Sequence, residues 1–227
     1  LLEIDLSRNQ LTGAIPNFAP LHGGHRVKKK DRGKGLRVLR LAQNRLTGPL
    51  PLGLSGFMGL KELDLGRNAL TGPLPPWITT LRALEVLDLS RNHFVGNLPS
   101  AMSGVCFPRL QRLCLQQNQL TGPLPQELGT MARLSVLNFS HNALTGRVPD
   151  NLTLLTKLTV LLMHHNEGLL CPMPSGLTAL KNLVDMCLID GAPSSNLAPQ
   201  RRHDTRRFKA TRVDALKIGL DNWHSPG

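Results

Sequence analysis

Residues 60–75 read Leu60-Lys61-Glu62-Leu63-Asp64-Leu65-Gly66-Arg67-Asn68-Ala69-Leu70-Thr71-Gly72-Pro73-Leu74-Pro75. Leu60, Leu63 and Leu65 stand eight, five and three places before Asn68; Gly72 and Pro75 stand four and seven places after it. The Leu63-Asp64-Leu65 alternation is that of a strand with one buried face. Asn carries two amide donors and one acceptor, enough to satisfy backbone groups in a turn that water cannot reach. Gly supplies unusual backbone freedom in the bend that follows, and Pro stiffens the extended segment beyond it.

The same frame recurs on both sides. Asn9, Asn44, Asn68, Asn92, Asn118, Asn142 and Asn166 are spaced by 35, 24, 24, 26, 24 and 24 residues. Six of these copies carry the Gly (Gly13, Gly48, Gly72, Gly96, Gly122, Gly146) and the Pro (Pro16, Pro51, Pro75, Pro99, Pro125, Pro149). Leu183, Met186 and Leu188 begin an eighth copy in which Gly191 takes the Asn place. A period of this length marks a repeat architecture. Each coil contributes one short strand, and stacked coils join these into a parallel sheet at about 4.8 Å per strand. The Leu side chains of all coils then share one core. Apolar pairs such as Leu54 and Phe57, or Leu128 and Met131, close the opposite side. The fold class expected is an α/β repeat solenoid: a right-handed arc of about eight 24-residue repeats over 1–191, with its parallel sheet concave and its convex side irregular, 3-10 or shortly helical. Amphipathic helices with chance leucine spacing do not account for seven registered Asn.

The segments Leu46–Pro51, Leu70–Pro75 and Leu120–Pro125 all read Leu-Thr-Gly-Pro-Leu-Pro. In this signature the chain resembles the plant-type leucine-rich-repeat family of receptor-like kinase ectodomains, receptor-like proteins and polygalacturonase-inhibitor-like proteins. The resemblance spans roughly residues 1–191 and is far more specific for fold than for function. It implies ligands on the concave sheet or its edge, and a cell-surface or secreted setting, although related repeats also occur inside cells. The chain departs from the family pattern in several places. No paired-Cys cap precedes the first repeat and no kinase follows the last. Gly168 and Leu170 stand where Leu and Gly are usual. Residue 1 is Leu and already lies within a repeat, so the chain reads as a fragment or truncated gene model, and the missing signal peptide says nothing about location.

Composition agrees with a leucine stack: 41% hydrophobic residues but only 4% aromatic. No apolar run reaches the roughly 18 residues of a membrane helix. The net charge of +12 resembles a nucleic-acid signal until it is mapped. Residues 22–35 hold six Lys/Arg against one acid, and residues 193–227 hold seven against three, so +9 of the +12 lies in two irregular segments rather than on the repeats. No specific nucleic-acid partner is therefore expected. The insertion at 22–35, with Lys28-Lys29-Lys30, reads as a solvated loop, a translated intron or a basic motif for localisation or polyanion contact; its removal over His25–Lys34 is expected to leave the thermal midpoint nearly unchanged. The basic tail at 192–227 reads as a partial cap over the last coil or as a disordered segment.

Solvent-facing positions lie between the leucines. Four places before the Asn stand Asp5, Arg40, Asp64, Asp88, Cys114, Asn138, Leu162 and Cys187; two before it stand Gly66, Ser90, Gln116, Ser140 and His164; one before it stand Arg67, Arg91, Gln117, His141 and His165. From these columns and the nearby Arg112, the expected ligand face comprises Asp64, Arg67, Asp88, Arg91, Arg112, Gln116, Asn138, His141 and His164. Its expected partner is a protein, a peptide or a glycan. Asn138-Phe139-Ser140 and Asn151-Leu152-Thr153 are glycosylation sequons; Asn151, on the convex side, is the better acceptor. His141, His164 and His165 raise the question of zinc. Adjacent strand residues point to opposite faces, and no carboxylate or Cys completes the set, so no metal site is expected. Ser140 and His164 lack a nucleophile elbow and an oxyanion turn, and Gly33-Lys34-Gly35 lacks the rest of a phosphate loop. Neither catalysis nor a cofactor is expected. Cys114 and Cys187 share a column three coils apart, roughly 14 Å at about 4.8 Å per coil, beyond disulfide reach. Partly exposed thiols at these positions argue mildly against a strongly oxidising compartment. The leading functional expectation is a non-catalytic recognition scaffold, part of a receptor ectodomain; the alternative is a stand-alone inhibitor or adaptor.

Overall fold

The computed structural model describes residues 2–17, 35–170 and 173–187. The tail at 192–227 and all of the 22–35 insertion except Gly35 lie outside these residues.

Every described repeat is one coil of a solenoid. The L-x-L motifs form an eight-stranded sheet whose strands follow chain order: Glu3–Asp5, Val38–Arg40, Glu62–Asp64, Val86–Asp88, Arg112–Cys114, Val136–Asn138, Val160–Leu162 and Asp185–Cys187. Neighbouring strands are parallel and in register, so that Asp64 stands opposite Asp88, and Asp88 opposite Cys114. This is the concave sheet.

A second parallel sheet of seven strands was not anticipated from the sequence. Thr12–Ala14, Arg45–Gly48, Ala69–Pro73, His93–Asn97, Gln119–Pro123, Ala143–Arg147 and Gly168–Leu170 pair coil to coil along the flank. These segments hold the Leu-Thr-Gly signature. Once coils stack at strand spacing, any extended segment repeated in register finds backbone partners above and below. Gly13, Gly48, Gly72, Gly96, Gly122 and Gly146 have φ between +74° and +83°, so the freedom expected of them is used in the bend.

The convex side carries short 3-10 helices at Leu52–Gly56, Pro76–Thr80, Gln126–Thr130, Asp150–Leu154 and Ser175–Ala179. Each follows a Pro whose carbonyl accepts a hydrogen bond from the buried apolar residue three places on, as Pro51 does from Leu54 and Pro125 from Leu128. Pro fits there because its fixed φ suits the turn entry and its missing N–H is not needed. The fourth coil, whose spacing is 26, makes turns at Ser103–Cys106 instead. Gly104 and Gly129 let adjacent coils touch: a Cβ at either would overlap the backbone carbonyl oxygen of Thr130 or Asn151, respectively.

The core is the leucine ladder, closed by Ile78, Phe94, Phe107, Phe139 and Met131. In the middle coils these side chains are sealed. In the first described coil, which has a described neighbour on one side only, Leu2, Leu6 and Leu11 are 52%, 46% and 38% exposed. Among the described residues no helix is long and apolar enough to cross a membrane.

Candidate functional site

The Asn ladder fixes the frame of the concave face. Asn92 donates from Nδ2 to the carbonyls of Leu89 (3.1 Å) and Ser90 (3.0 Å) in its own coil and of Leu65 (3.0 Å) in the coil before; its Oδ1 accepts the N–H of Leu70, also in the coil before, at 3.0 Å. Asn44, Asn68, Asn118, Asn142 and Asn166 repeat this arrangement. Among the described residues Asn9, in the first coil, bonds only Leu6 and Ser7 of its own turn. Asn92 and Asn166 are buried; Asn68 is half-buried.

The residue before each ladder Asn departs from strand geometry. Arg8, Gln43, Arg67, Arg91, Gln117, His141 and His165 all have φ between +53° and +57°. A left-handed residue breaks the alternation of faces, so its side chain can join the one before it on the same side. Strand alternation, expected at these positions from the sequence, would place the two on opposite sides.

Asp64 and Asp88 face each other in register over Gly66. A Cβ on Gly66 would stand 3.1 Å from Asp88 Oδ1, 3.2 Å from Ser90 Oγ and 3.3 Å from Asp64 Oδ1, so the missing side chain makes room for both carboxylates. The N–H groups of Gly66 and Ser90 donate to Asp64 and Asp88 at 3.0 and 2.9 Å. Burial, then the neighbouring Asp88, pushes the Asp64 carboxyl up to about 7. Burial also raises Asp88, against hydrogen bonds from Ser90 and the charges of Arg112 and Arg67. Burial and mutual repulsion thus both work against full ionisation of this pair. Arg91 is pushed below the usual guanidinium range by burial and by Arg67 in the adjacent coil.

The other predicted contact residues divide clearly. Arg112 and Gln116 are half-buried, and Arg112 Nε and Gln116 Oε1 have no hydrogen-bond partner within the described residues. Asn138 is 3% exposed and its Oδ1 accepts from the Ser140 N–H and hydroxyl. That burial removes it as a glycan acceptor in the folded chain and leaves it little surface for a ligand; Asn151, half-buried on a convex 3-10 helix, is more accessible. Arg40 is held by Glu62 through two bonds of 2.6 and 2.7 Å and by Glu3 at 2.7 Å, tying three coils at the N-terminal end.

Two expectations need correction. Cys114 is buried rather than partly exposed, and burial, with Asp88 adding to it, pushes its thiol up to about 12. Its strand partner in the next coil is Asn138, whose side chain is also buried, so the strand covers both. A thiol so shielded is inert and carries no message about the redox compartment. The histidines, expected to diverge, converge: potential ligand nitrogens of His141, His164 and His165 lie within 4.8 Å of one another. The left-handed turns at His141 and His165 are the reason.

Residues 34–94 match a family model described as leucine rich repeat, and residues 109–131 and 133–155 match a second of the same description. The chain is built of leucine-rich repeats. Among solved structures, its repeats superpose on the plant peptide hormone receptor RGFR1 in complex with RGF2, with 25% identity over 84% of this chain and 32% of that one and a TM-score of 0.67. The ectodomain of the Arabidopsis receptor kinase HAESA in complex with an IDA peptide hormone ligand gives 30% identity over 84% of this chain and 30% of the other, with a TM-score of 0.67. A plant ice-binding protein gives 27% identity over 83% and 56%, with a TM-score of 0.64. No curated protein matches the chain. The leucine-rich repeats thus span about a third of the length of the two receptor ectodomains.

Proposed function

We propose that this leucine-rich-repeat chain is a non-catalytic recognition module that binds an extended peptide along its concave sheet, in the manner of a receptor ectodomain outside the cell. One observation carries this: a polar cluster across coils three to five, in which Asp64 and Asp88 stand side by side in register and Arg112, whose charge acts on Asp88, and Gln116 lie half-buried in the next coil. Arg67 and Arg91, mutually repulsive in adjacent coils, favour an anionic group beside them, and a guanidinium fork can hold a carboxylate by two bonds. A cationic group over Asp64 and Asp88 would offset the burial and repulsion that raise both carboxyls. Two peptide-hormone receptors share the frame; so does an ice-binding protein, which is why the reading rests on the residues of the face.

The test begins with peptides retained from an immobilised library by the intact chain, followed by titration of variants. Arg91→Ala is expected to weaken binding without lowering the thermal midpoint; Arg112→Ala, which also removes a charge that favours the buried Asp88 carboxylate, is expected to weaken binding and to lower the midpoint somewhat. Arg147→Ala, exposed at the end of a flank-sheet strand, is expected to leave binding unchanged. Equal loss from Arg147→Ala, or no loss from the concave pair, moves the site off the concave sheet.

A further inference from the structure

Three imidazoles meet near the C-terminal end of the concave sheet, beyond the polar row. His141 is the residue before Asn142; His164 and His165 are the two before Asn166 in the next coil. Their ring centroids are separated by 5.2 Å (His141–His164), 4.1 Å (His141–His165) and 5.1 Å (His164–His165). His141 and His165 are exposed and His164 is half-buried.

We propose that His141, His164 and His165 form a binding site for a divalent transition-metal ion, zinc or copper(II), with at least one coordination position open to the concave solvent. Imidazole nitrogen suits these ions, and three protein ligands with an open position is the pattern of zinc sites that accept a further ligand. Metal–nitrogen bonds of about 2.0–2.1 Å at tetrahedral angles place ligand nitrogens roughly 3.3–3.4 Å apart. The ligand atoms here already lie within 4.8 Å, so closure needs about 1.5 Å, which rotation of the two exposed rings supplies. The backbone holds the two turns together: the His141 N–H donates to the His164 carbonyl at 2.9 Å and the Asn142 N–H to the His165 carbonyl at 3.1 Å. Asn166 Nδ2 reaches the carbonyls of Met163 and, one coil back, Phe139. The ladder thus pre-organises the site, and only side chains must move. The site stands on the chain's own histidines and does not depend on the peptide reading.

The experiment titrates zinc chloride, and separately copper(II) chloride, into the full 227-residue chain by calorimetry. Gln occupies the same left-handed position at Gln43 and Gln117, so His141→Gln and His165→Gln keep the turn while removing a ligand. The paired His141→Gln, His165→Gln variant is expected to weaken binding by more than about tenfold with an unchanged thermal midpoint in the absence of metal. His22→Ala with His25→Ala, and His93→Ala on the flank sheet, are expected to bind as the parent does. X-ray absorption on the loaded protein is expected to show three imidazole nitrogens at about 2.0–2.1 Å. Binding untouched by the paired Gln variant, loss instead on removing His22 and His25, or fewer than three imidazoles in the loaded spectrum would each overturn the site.

Discussion

Asn92 divides its amide between two coils, and that division is the smallest unit of the fold. Two of its four bonds reach the preceding coil, at Leu65 and Leu70, and two satisfy its own turn. Asn92→Ala leaves those buried groups unmatched and is expected to cost about 1–3 kcal/mol. Asn9→Ala, which loses only bonds at an exposed turn, is expected to cost less, and Arg82→Ala about 0.5 kcal/mol or less. Urea denaturation of the three variants checks the order; equal and small effects at all three would deny the ladder its role. The Asn was legible because its chemistry is local and its spacing regular. What was not legible was the residue before it. Nothing in the letters Arg, Gln or His announces a left-handed φ, and the assumption of strand alternation separated His141, His164 and His165, which the fold brings together.

Between elements, the fit of coil on coil depends on places where a side chain is absent. Gly129 lies in the 3-10 helix Gln126–Thr130, and the Asn151 carbonyl of the next helix occupies the space a Cβ would need. The neighbour is backbone and cannot swing away. Gly129→Ala is therefore expected to destabilise by at least about 1–3 kcal/mol, the usual cost of overpacking, and to lower the thermal midpoint. Gly35→Ala, where no atom of the described residues lies within 4 Å of the added Cβ, is expected to be neutral. A neutral Gly129→Ala would show that the convex helices do not touch as described. The eight concave strands were legible from Leu-x-Leu, because burial on one face leaves a period of two. The seven flank strands were not. Most hold a single large buried side chain, such as Leu70, Phe94, Leu120 or Leu144, too few for a period to show, and their pairing is imposed by the stacking of coils, a long-range effect that no local window contains.

Across the whole molecule, contacts run almost entirely between neighbouring coils, so stability is a sum over coils and the junctions between them. Middle coils have two such junctions. The first described coil has one, and its core leucines stay partly wet. Amide hydrogen exchange is expected to be slowest in the concave strands Glu62–Asp64, Val86–Asp88, Arg112–Cys114 and Val136–Asn138, and fastest at Glu3–Asp5 and Asp185–Cys187. Uniform protection along the chain would indicate one all-or-none unit instead. The same gradient supports placing recognition in the central coils, where side chains lose least freedom on binding.

The ladder also has a direction. Each Asn from the second coil onward reaches back: Asn92 caps the coil of Leu65 and Leu70, Asn118 that of Leu89 and Phe94, Asn142 that of Leu115 and Leu120. A coil emerging from the ribosome therefore has an unfinished turn until the next Asn has been synthesised. With 24 residues between most ladder Asn, and translation at about 5–20 residues per second, that wait is about 1–5 s for each turn. The nascent chain should close like a zip that runs one tooth behind the ribosome, its vulnerable edge always the newest coil.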